Sequence, residues 1–585
     1  MNIYKFRDCL LNTLERSVIR DNNHLELTTK TFDVLQYLIE NAGKVVTKDE
    51  ILGRVWNGSF VEESNLPVHI SKLRRLLDQS IDRRFIETVQ GTGYRFIAPL
   101  ETVGQDEWEL AAMAGNANRL DHAGRSIAIL PLENESGDPA VEYLVDGLTE
   151  SLINGLSQIP NLKVISRNTV FRYKNQSVDA AEIANALGVS NVLTGRLRLA
   201  GDNLLFCIEL TETRDGIQLW GSQYDVSFSE IVHIKEAIVN SVSTILTSTL
   251  RNSNAPSSDG DADSFKFYLM GKYFLRKRTV EDILKAINYF RKSVSCCPTN
   301  VISYVSIVNA YRLLYIHDRL SRTETILKIA PSLEVLSTLD QSLGIVHVMY
   351  GKLKLQLDWD VESASQCMEK ALQLNPNLVE AHSSYGDIMA LLGKHAEVEY
   401  HAQQILHLDP ISPFTLSRVG RLFYRSGNYE RALFYLHDAV ELEACDYEAL
   451  LLLGATYTEL EDYEKATEFL RKSYDSHRHL ETLSMIGFVE GLAGRKNAAI
   501  RIIERINSEL RDHHSHSINL ARIYLALDEK EKMYALLDEA YDQHLLDMYA
   551  LASDPRWKAV STENRFQSLV QRVREASGRR PTVPN

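Results

Sequence analysis

Gly386, Gly420 and Gly454 stand 34 residues apart, and Ala364, Val398, Ala432 and Ala466 keep the same step. Pro376 and Pro410 repeat it again. Three independent columns with one period restrict this part of the chain to a stack of like units, each burying its apolar face against the next. Within a unit the apolar residues return at helical spacing, as Leu436, Ala439, Val440 and Leu442 do in RALFYLHDAVELE, and a Gly or polar turn (RSGNYE, LEDYEK) separates two such runs. The unit is therefore a helix pair. Gly487, Gly494 and Ala499 continue the pattern one residue out of phase, and FKFYLMGKYFLRKRTVEDILKAINYFRKSVSCCPTN reads as a divergent copy. About seven pairs are expected over residues 264–573, with a frayed tail at 574–585.

A chain of 585 residues is too long for one core. Two polar stretches, 101–125 and 251–263 (RNSNAPSSDGDAD), read as linkers and leave further units at 1–100 and 126–250. No apolar run approaches the ~18 residues needed to span a bilayer, and the first ten residues (MNIYKFRDCL) carry charge where a signal sequence needs an apolar stretch, so a cytoplasmic protein without membrane contact is expected. The six cysteines, scattered without a CxxC, suit reduced thiols in that compartment.

The net charge of -14 argues against nucleic acid only as an average. Residues 1–100 hold 14 Lys and Arg against 13 Asp and Glu, whereas residues 101–585 hold 50 against 65. Lys72, Arg74, Arg75, Arg83, Arg84 and Arg95 fall in one short stretch of the first hundred. There Thr47-Lys-Asp-Glu50 forms a capping box ahead of a short helix, and the preceding helix TKTFDVLQYLIENAG ends at Gly43. A third helix begins near Ser64, with Pro67 tolerated in its first turn. At about 100° per residue Leu66, Ile70, Leu73 and Leu77 make one core stripe. Ser64, Val68, Ser71, Lys72 and Arg75 take the opposite face, with Arg74 on its flank. A helix that buries a Leu/Ile stripe and presents Lys and Arg, preceded by a second short helix, meets the needs of major-groove reading. In RRFIETVQGTGYRFIAPL two β-prone runs flank Gly91-Thr-Gly93 and form a hairpin carrying Arg84, Gln90, Thr92 and Arg95. Arginines on such a wing reach the minor groove or the backbone.

The middle part alternates strands (SIAILPL, LKVIS) with helices (AVEYLVDGLTESLINGLSQI, DAAEIANALGV). It then gives a hairpin about GDN, a strand QLWGSQYDVSF and a last helix near 230–250. This is an α/β domain. The sequence holds no nucleophile elbow, HExxH or paired catalytic carboxylates, and DHHSHS has neither a cysteine nor a second carboxylate for a metal, so neither catalysis, cofactor nor metal is expected.

The series LTTKTFDVLQYLIENAGKVVTKDEILGRVW, VHISKLRRLL and FIETVQGTGYRF resembles the OmpR-type winged-helix DNA-binding domain. That resemblance implies a small antiparallel sheet at the N-terminus and a third helix that reads the major groove through Val68, Ser71, Lys72 and Arg75. It also implies a turn, Asn57 to Glu63 with Glu62, that touches RNA polymerase. Gln90 stands where many members have Arg, and Pro67 where an acidic residue is common. The middle part resembles the amino-terminal domain of TolB-like proteins, and the array resembles tetratricopeptide repeats. The three-part order resembles a class of activators of secretion and virulence genes.

The sequence thus describes a multidomain α+β protein: an N-terminal winged helix-turn-helix, a central α/β domain and a C-terminal all-α tetratricopeptide-repeat solenoid. Its expected function is a sequence-specific DNA-binding transcriptional regulator, an activator. The alternative is a repeat-based assembly scaffold with a winged-helix docking module. Expected DNA-binding residues are Val68, Ser71, Lys72, Arg74, Arg75, Arg83, Arg84, Gln90, Thr92 and Arg95, and the polymerase loop is marked by Asn57, Glu62 and Glu63. Partners are double-stranded promoter DNA, RNA polymerase, a protein or small-molecule effector on the C-terminal domains, and a second copy in a homo-oligomer. Asp387, Arg421, Tyr424 and Arg425 are the expected partner-binding face of the array.

Overall fold

The computed structural model describes the chain apart from residues 1–2, 21–22, 26, 28, 57–64, 78–83, 90, 106, 109–125, 160, 176–179, 201–202, 214–215, 248–258, 340–341, 510–515 and 578–585. At the N-terminus β1 (Ile3–Phe6), β2 (Cys9–Asn12), β3 (Ser17–Arg20) and β4 (Asn23–Leu25) form an antiparallel meander. Residues 101–103, expected in a linker, instead form β8 (Glu101–Val103) against β1. Trp108 follows, 1% exposed among Ile3, Leu10 and Ile19, with its indole N–H donated to Glu15 at 2.9 Å. One apolar side chain in a polar run leaves no periodicity to read, so the sequence missed this extension of the first unit.

Three helices follow the meander: α1 (Thr29–Glu40), α2 (Lys48–Trp56) and α3 (Asn65–Leu76). The capping box is present, with the Glu50 amide donating to Thr47 Oγ1 at 3.2 Å and the Thr47 amide to Glu50 Oε2 at 2.7 Å. Leu66, Ile70, Leu73 and Leu77 are all buried against Phe6, Phe85 and Phe96, as the stripe requires. The wing strands β6 (Ile86–Val89) and β7 (Gly93–Phe96) pair with β5 (Val45–Thr47) in the order β5-β7-β6. The two glycines of this hairpin have separate reasons. Gly91 takes φ +70° in the turn, whereas a Cβ on Gly93 would lie 2.0 Å from the Val46 carbonyl oxygen, because β5 crosses there.

In the middle unit β9 (Ser126–Ile129) lies parallel between β11 (Lys163–Val164) and β12 (Asn191–Ala200). The long strands β12, β13 (Asn203–Glu212) and β14 (Gln218–Ser227) are antiparallel, and short β10 (Glu133–Asn134) pairs with β12. Alternate residues Leu204, Phe206, Ile208 and Leu210 of β13 face inward, where the cluster includes residues of helices Pro139–Ser157 and Ile231–Thr247.

The rest is helical. Among the described residues eight helix pairs run from Asp259–Arg276 to Lys530–Asp542, ending in two short 3₁₀ segments and helix Asn564–Ala576. That is one pair more than expected: the first helix begins inside the presumed linker, and Pro331 within helix Arg322–Thr338 obscures the early pattern. First helices start at Val379, Pro413, Tyr447 and Leu480, steps of 34, 34 and 33 residues that place the one-residue deletion. The Gly column has a steric cause. A Cβ on Gly420 or Gly454 would meet Leu436 at 2.5 Å or Leu470 at 2.4 Å on the paired helix. No described helix is long and apolar enough to cross a membrane.

The array and the middle unit are joined by backbone and apolar contacts. The Ser166 amide donates to the Leu408 carbonyl at 3.1 Å, Arg172 donates to the Ile411 carbonyl at 2.9 Å, and Ile411 is buried in the middle unit's own cluster.

Candidate DNA interface

Helix α3 places Val68, Ser71 and Lys72 on the side away from its core stripe with Arg74 on the flank, and the hairpin adds Thr92 and Arg95 beside it. Arg84, at the entrance to β6, is exposed. Arg95 is half exposed and sits 3.6 Å from Glu87 across the hairpin. Thr92 caps the turn, its amide donating to the Val89 carbonyl at 3.0 Å. The side chain of Arg75, and Arg83, Gln90, Asn57, Glu62 and Glu63 entirely, lie outside the described residues. His69 lies between the stripe and this face, its Nδ1 2.9 Å from Thr31 Oγ1 and its ring beside Trp56. Burial, with Lys72 and Lys30 nearby, lowers it to about 4, so the helix carries a neutral imidazole at physiological pH.

Two expectations for α3 are corrected by its surroundings. Lys72 and Arg74, read as solvated, are only 3% and 5% exposed. Val68 packs against the cluster shared by the middle sheet and Ile411. The Arg74 guanidinium donates to Asp438 at 2.7 Å and Glu441 at 3.3 Å, both on repeat helix Tyr429–Leu442, and to Thr88 Oγ1 on the wing at 2.6 Å. Thr88 donates to Glu441 at 3.3 Å, and the Tyr94 hydroxyl also donates to Glu441. Burial opposes the charge on Arg74, but the carboxylates of Asp438 and Glu441 outweigh it and raise its pKa. Burial pushes Asp438 up to about 6, with Arg74 pulling the other way. Sequence reasoning missed Thr88, Tyr94, Asp438 and Glu441. The two acidic residues are spaced i, i+3 in DAVELE and look like any solvated helix face.

The expected partner face of the array is also brought together, but not opened to solvent. Arg421 donates to Asp387 at 2.8 Å and Glu448 at 2.8 Å, and Arg425 donates to Asp387 at 3.0 Å. Tyr424 is 7% exposed, in one apolar cluster with Met548, Leu551 and Trp557. The reason is that the chain's own segment after residue 545 returns here: Arg522 pairs with Asp547 at 2.5 Å, and Tyr549, Asp554 and Asp547 lie near enough to act on Arg425.

Residues 22–96 match the family described as Transcriptional regulatory protein, C terminal, and residues 447–476 match Tetratricopeptide repeat. Fold and match together define the class, a DNA-binding transcriptional regulator with a winged helix ahead of helical repeats. Over most of its length the chain is similar to Transcriptional regulator HilA of Salmonella paratyphi A (strain ATCC 9150 / SARB42), 23% identical over 517 residues, covering 86% of this chain and 83% of that one. A protein of Rhizobium meliloti (strain 1021) carrying the name adenylate cyclase 3 is 35% identical over 117 residues, 20% of each chain. The crystal structure of TolB from Acinetobacter baumannii is 19% identical, covers 22% of this chain and 30% of its own, and gives a TM-score of 0.17, too slight a likeness to argue from.

Proposed function

We propose that the chain is a cytoplasmic activator of transcription rather than an enzyme, with α3 in the major groove of promoter DNA and the wing beside it. The observation that carries this is α3 itself, a helix whose core stripe is fully buried while Ser71 and Lys72 occupy the other side, within a segment matching a transcriptional regulator family. In this reading Val68, Ser71, Lys72, Arg74 and Arg75 face the groove, and Arg83, Arg84, Gln90, Thr92 and Arg95 meet the backbone or minor groove. Asn57, Glu62 and Glu63 touch RNA polymerase. The similarity to Transcriptional regulator HilA supports a regulatory role, and the repeats would supply the surface for an effector, a protein partner or a second copy. The boundaries that go with it are 1–100, 126–250 and 264–573, the first extended through Trp108 and the last begun at Asp259.

Gel shifts of the full chain on labelled genomic fragments, across protein and salt series, test the reading. Lys72→Ala and Arg75→Ala should each weaken the specific complex by about 1 to 3 kcal/mol, relaxing specificity for a base contact or lowering the salt slope by about one for a phosphate contact. Absence of any salt-sensitive complex that resists competitor would leave the scaffold reading in its place.

A further inference from the structure

The groups that hold Arg74 are two carboxylates, and the groups α3 would meet on DNA are phosphates. Both are anionic oxygen acceptors for a guanidinium, and both occupy its donors in charge-assisted hydrogen bonds. Arg74 cannot serve both at once. Nor can α3 lie in a groove while Val68 packs on the middle unit's cluster and helix Tyr429–Leu442 lies against α3 and the wing.

The contact is built to exchange. Buried ion pairs contribute little net stability, because desolvation offsets their attraction. Arg74 Nε is buried without a hydrogen-bond partner, and a cavity of about 420 Å³ lined by Ser71, Arg74, Lys163, His407, Arg431 and Asp438 lies beside the pair. The seam between array and middle unit is of another kind, with Ile411 fully inserted and the Thr169 hydroxyl donated to buried Asp409. The cavity borders both seams, but the array is held to the middle unit by hydrogen bonds to the Leu408 and Ile411 carbonyls and by inserted Ile411, whereas the winged helix meets the array through polar side chains, so the winged helix is the part that parts from the rest.

We infer that helix Tyr429–Leu442 is an autoinhibitory clamp. Asp438 and Glu441 occupy Arg74, Thr88 and Tyr94, keep α3 from DNA, and are exchanged for phosphate when the regulator engages its site. This rests on the DNA-binding reading. The clamped state reduces apparent affinity in proportion to the fraction of open molecules, so a chain open one time in ten binds about ten-fold more weakly than one held open.

The test compares the full chain with Asp438→Asn/Glu441→Gln, a near-isosteric pair that removes both charges, and with Tyr94→Phe, which removes one hydrogen bond from the other side. Circular dichroism checks the fold. Hydrogen exchange over residues 65–76 and 86–96 reports the clamp, and anisotropy of a labelled mixed-sequence DNA duplex at low salt reports binding. Release predicts faster exchange and about ten-fold tighter binding in the double variant, with a smaller change of the same sign in Tyr94→Phe. Unchanged exchange overturns the clamp. Faster exchange with equal or weaker DNA affinity overturns inhibition while DNA binding stands. No complex from any of the three chains overturns the DNA-binding reading and the clamp with it.

Discussion

Arg421 and Arg74 are both arginines on helices, both expected at a surface, and both end in pairs with two carboxylates, the first half-buried and the second buried. The difference is where the carboxylates come from. Asp387 and Glu448 stand 34 and 27 residues from Arg421, on neighbouring repeats that are stacked whenever the array is folded. Asp438 and Glu441 stand 364 and 367 residues from Arg74, on a domain that can fold without it. The first network is part of folding, and the second is part of docking. Equal geometry therefore does not mean equal energetic consequence, because an interdomain pair can escape by separating.

The sharpest way to break this comparison is to remove one acid from each network. Asp387→Ala strands Arg425 and leaves Arg421 with Glu448 alone, and should destabilise the array by about 3 kcal/mol. Asp438→Ala should cost no more than about 1 kcal/mol, since undocking returns Arg74 to water. Urea unfolding followed by far-ultraviolet circular dichroism, which the repeats dominate, measures both. Equal losses would make the Arg74 seam as integral as a repeat.

A smaller effect is expected from the packing that lets repeats stack. Gly454→Ala drives a methyl into Leu470 and should lower array stability by roughly 1 to 3 kcal/mol in the same assay. Gly53→Ala, where nothing lies within 4 Å of the added Cβ, should not destabilise the winged helix. A neutral Gly454 variant would remove the steric account of the 34-residue column.

The smallest effect per residue separates the regions by acid. His317, His401, His437 and His544 in the array are each lowered to about 4, chiefly by burial, against His69 in the winged helix among the described residues. A folded pKa below the ordinary 6.5 means the native state prefers the neutral ring. The stabilisation is complete above 6.5 and is lost as pH falls from there through 4. At roughly 1 kcal/mol per histidine after allowance for partial exposure, the array should lose stability first on acidification. Thermal melts between those limits that show the winged helix failing before the repeats would contradict the assignment.

What the sequence made legible follows from range. The α3 stripe, the Thr47–Glu50 box and the Gly420 and Gly454 columns are set by neighbours within one turn or one repeat, and periodicity exposes them. Trp108, Ile411 and the pair Asp438 and Glu441 act on residues about a hundred to several hundred positions away, and nothing in their local pattern distinguishes them. The side of α3 opposite its core stripe is legible from face geometry, but what covers it is not, because a docking partner leaves no mark on the helix it covers. Asp387, Arg421, Tyr424 and Arg425 read as a group in the sequence and are one, yet what covers them is the chain's own segment around Asp547 to Trp557.

Just ahead of that returning segment His544 stacks parallel on Trp359, ring centres 3.5 Å apart and planes 4° from parallel. An open array of repeats has free ends and can melt unit by unit, like beads leaving a string. Here the stack fastens residues 185 positions apart and closes the string into a loop. The first repeat to loosen must also open the clasp, so the described array from Trp359 onward should yield in one cooperative step rather than fray.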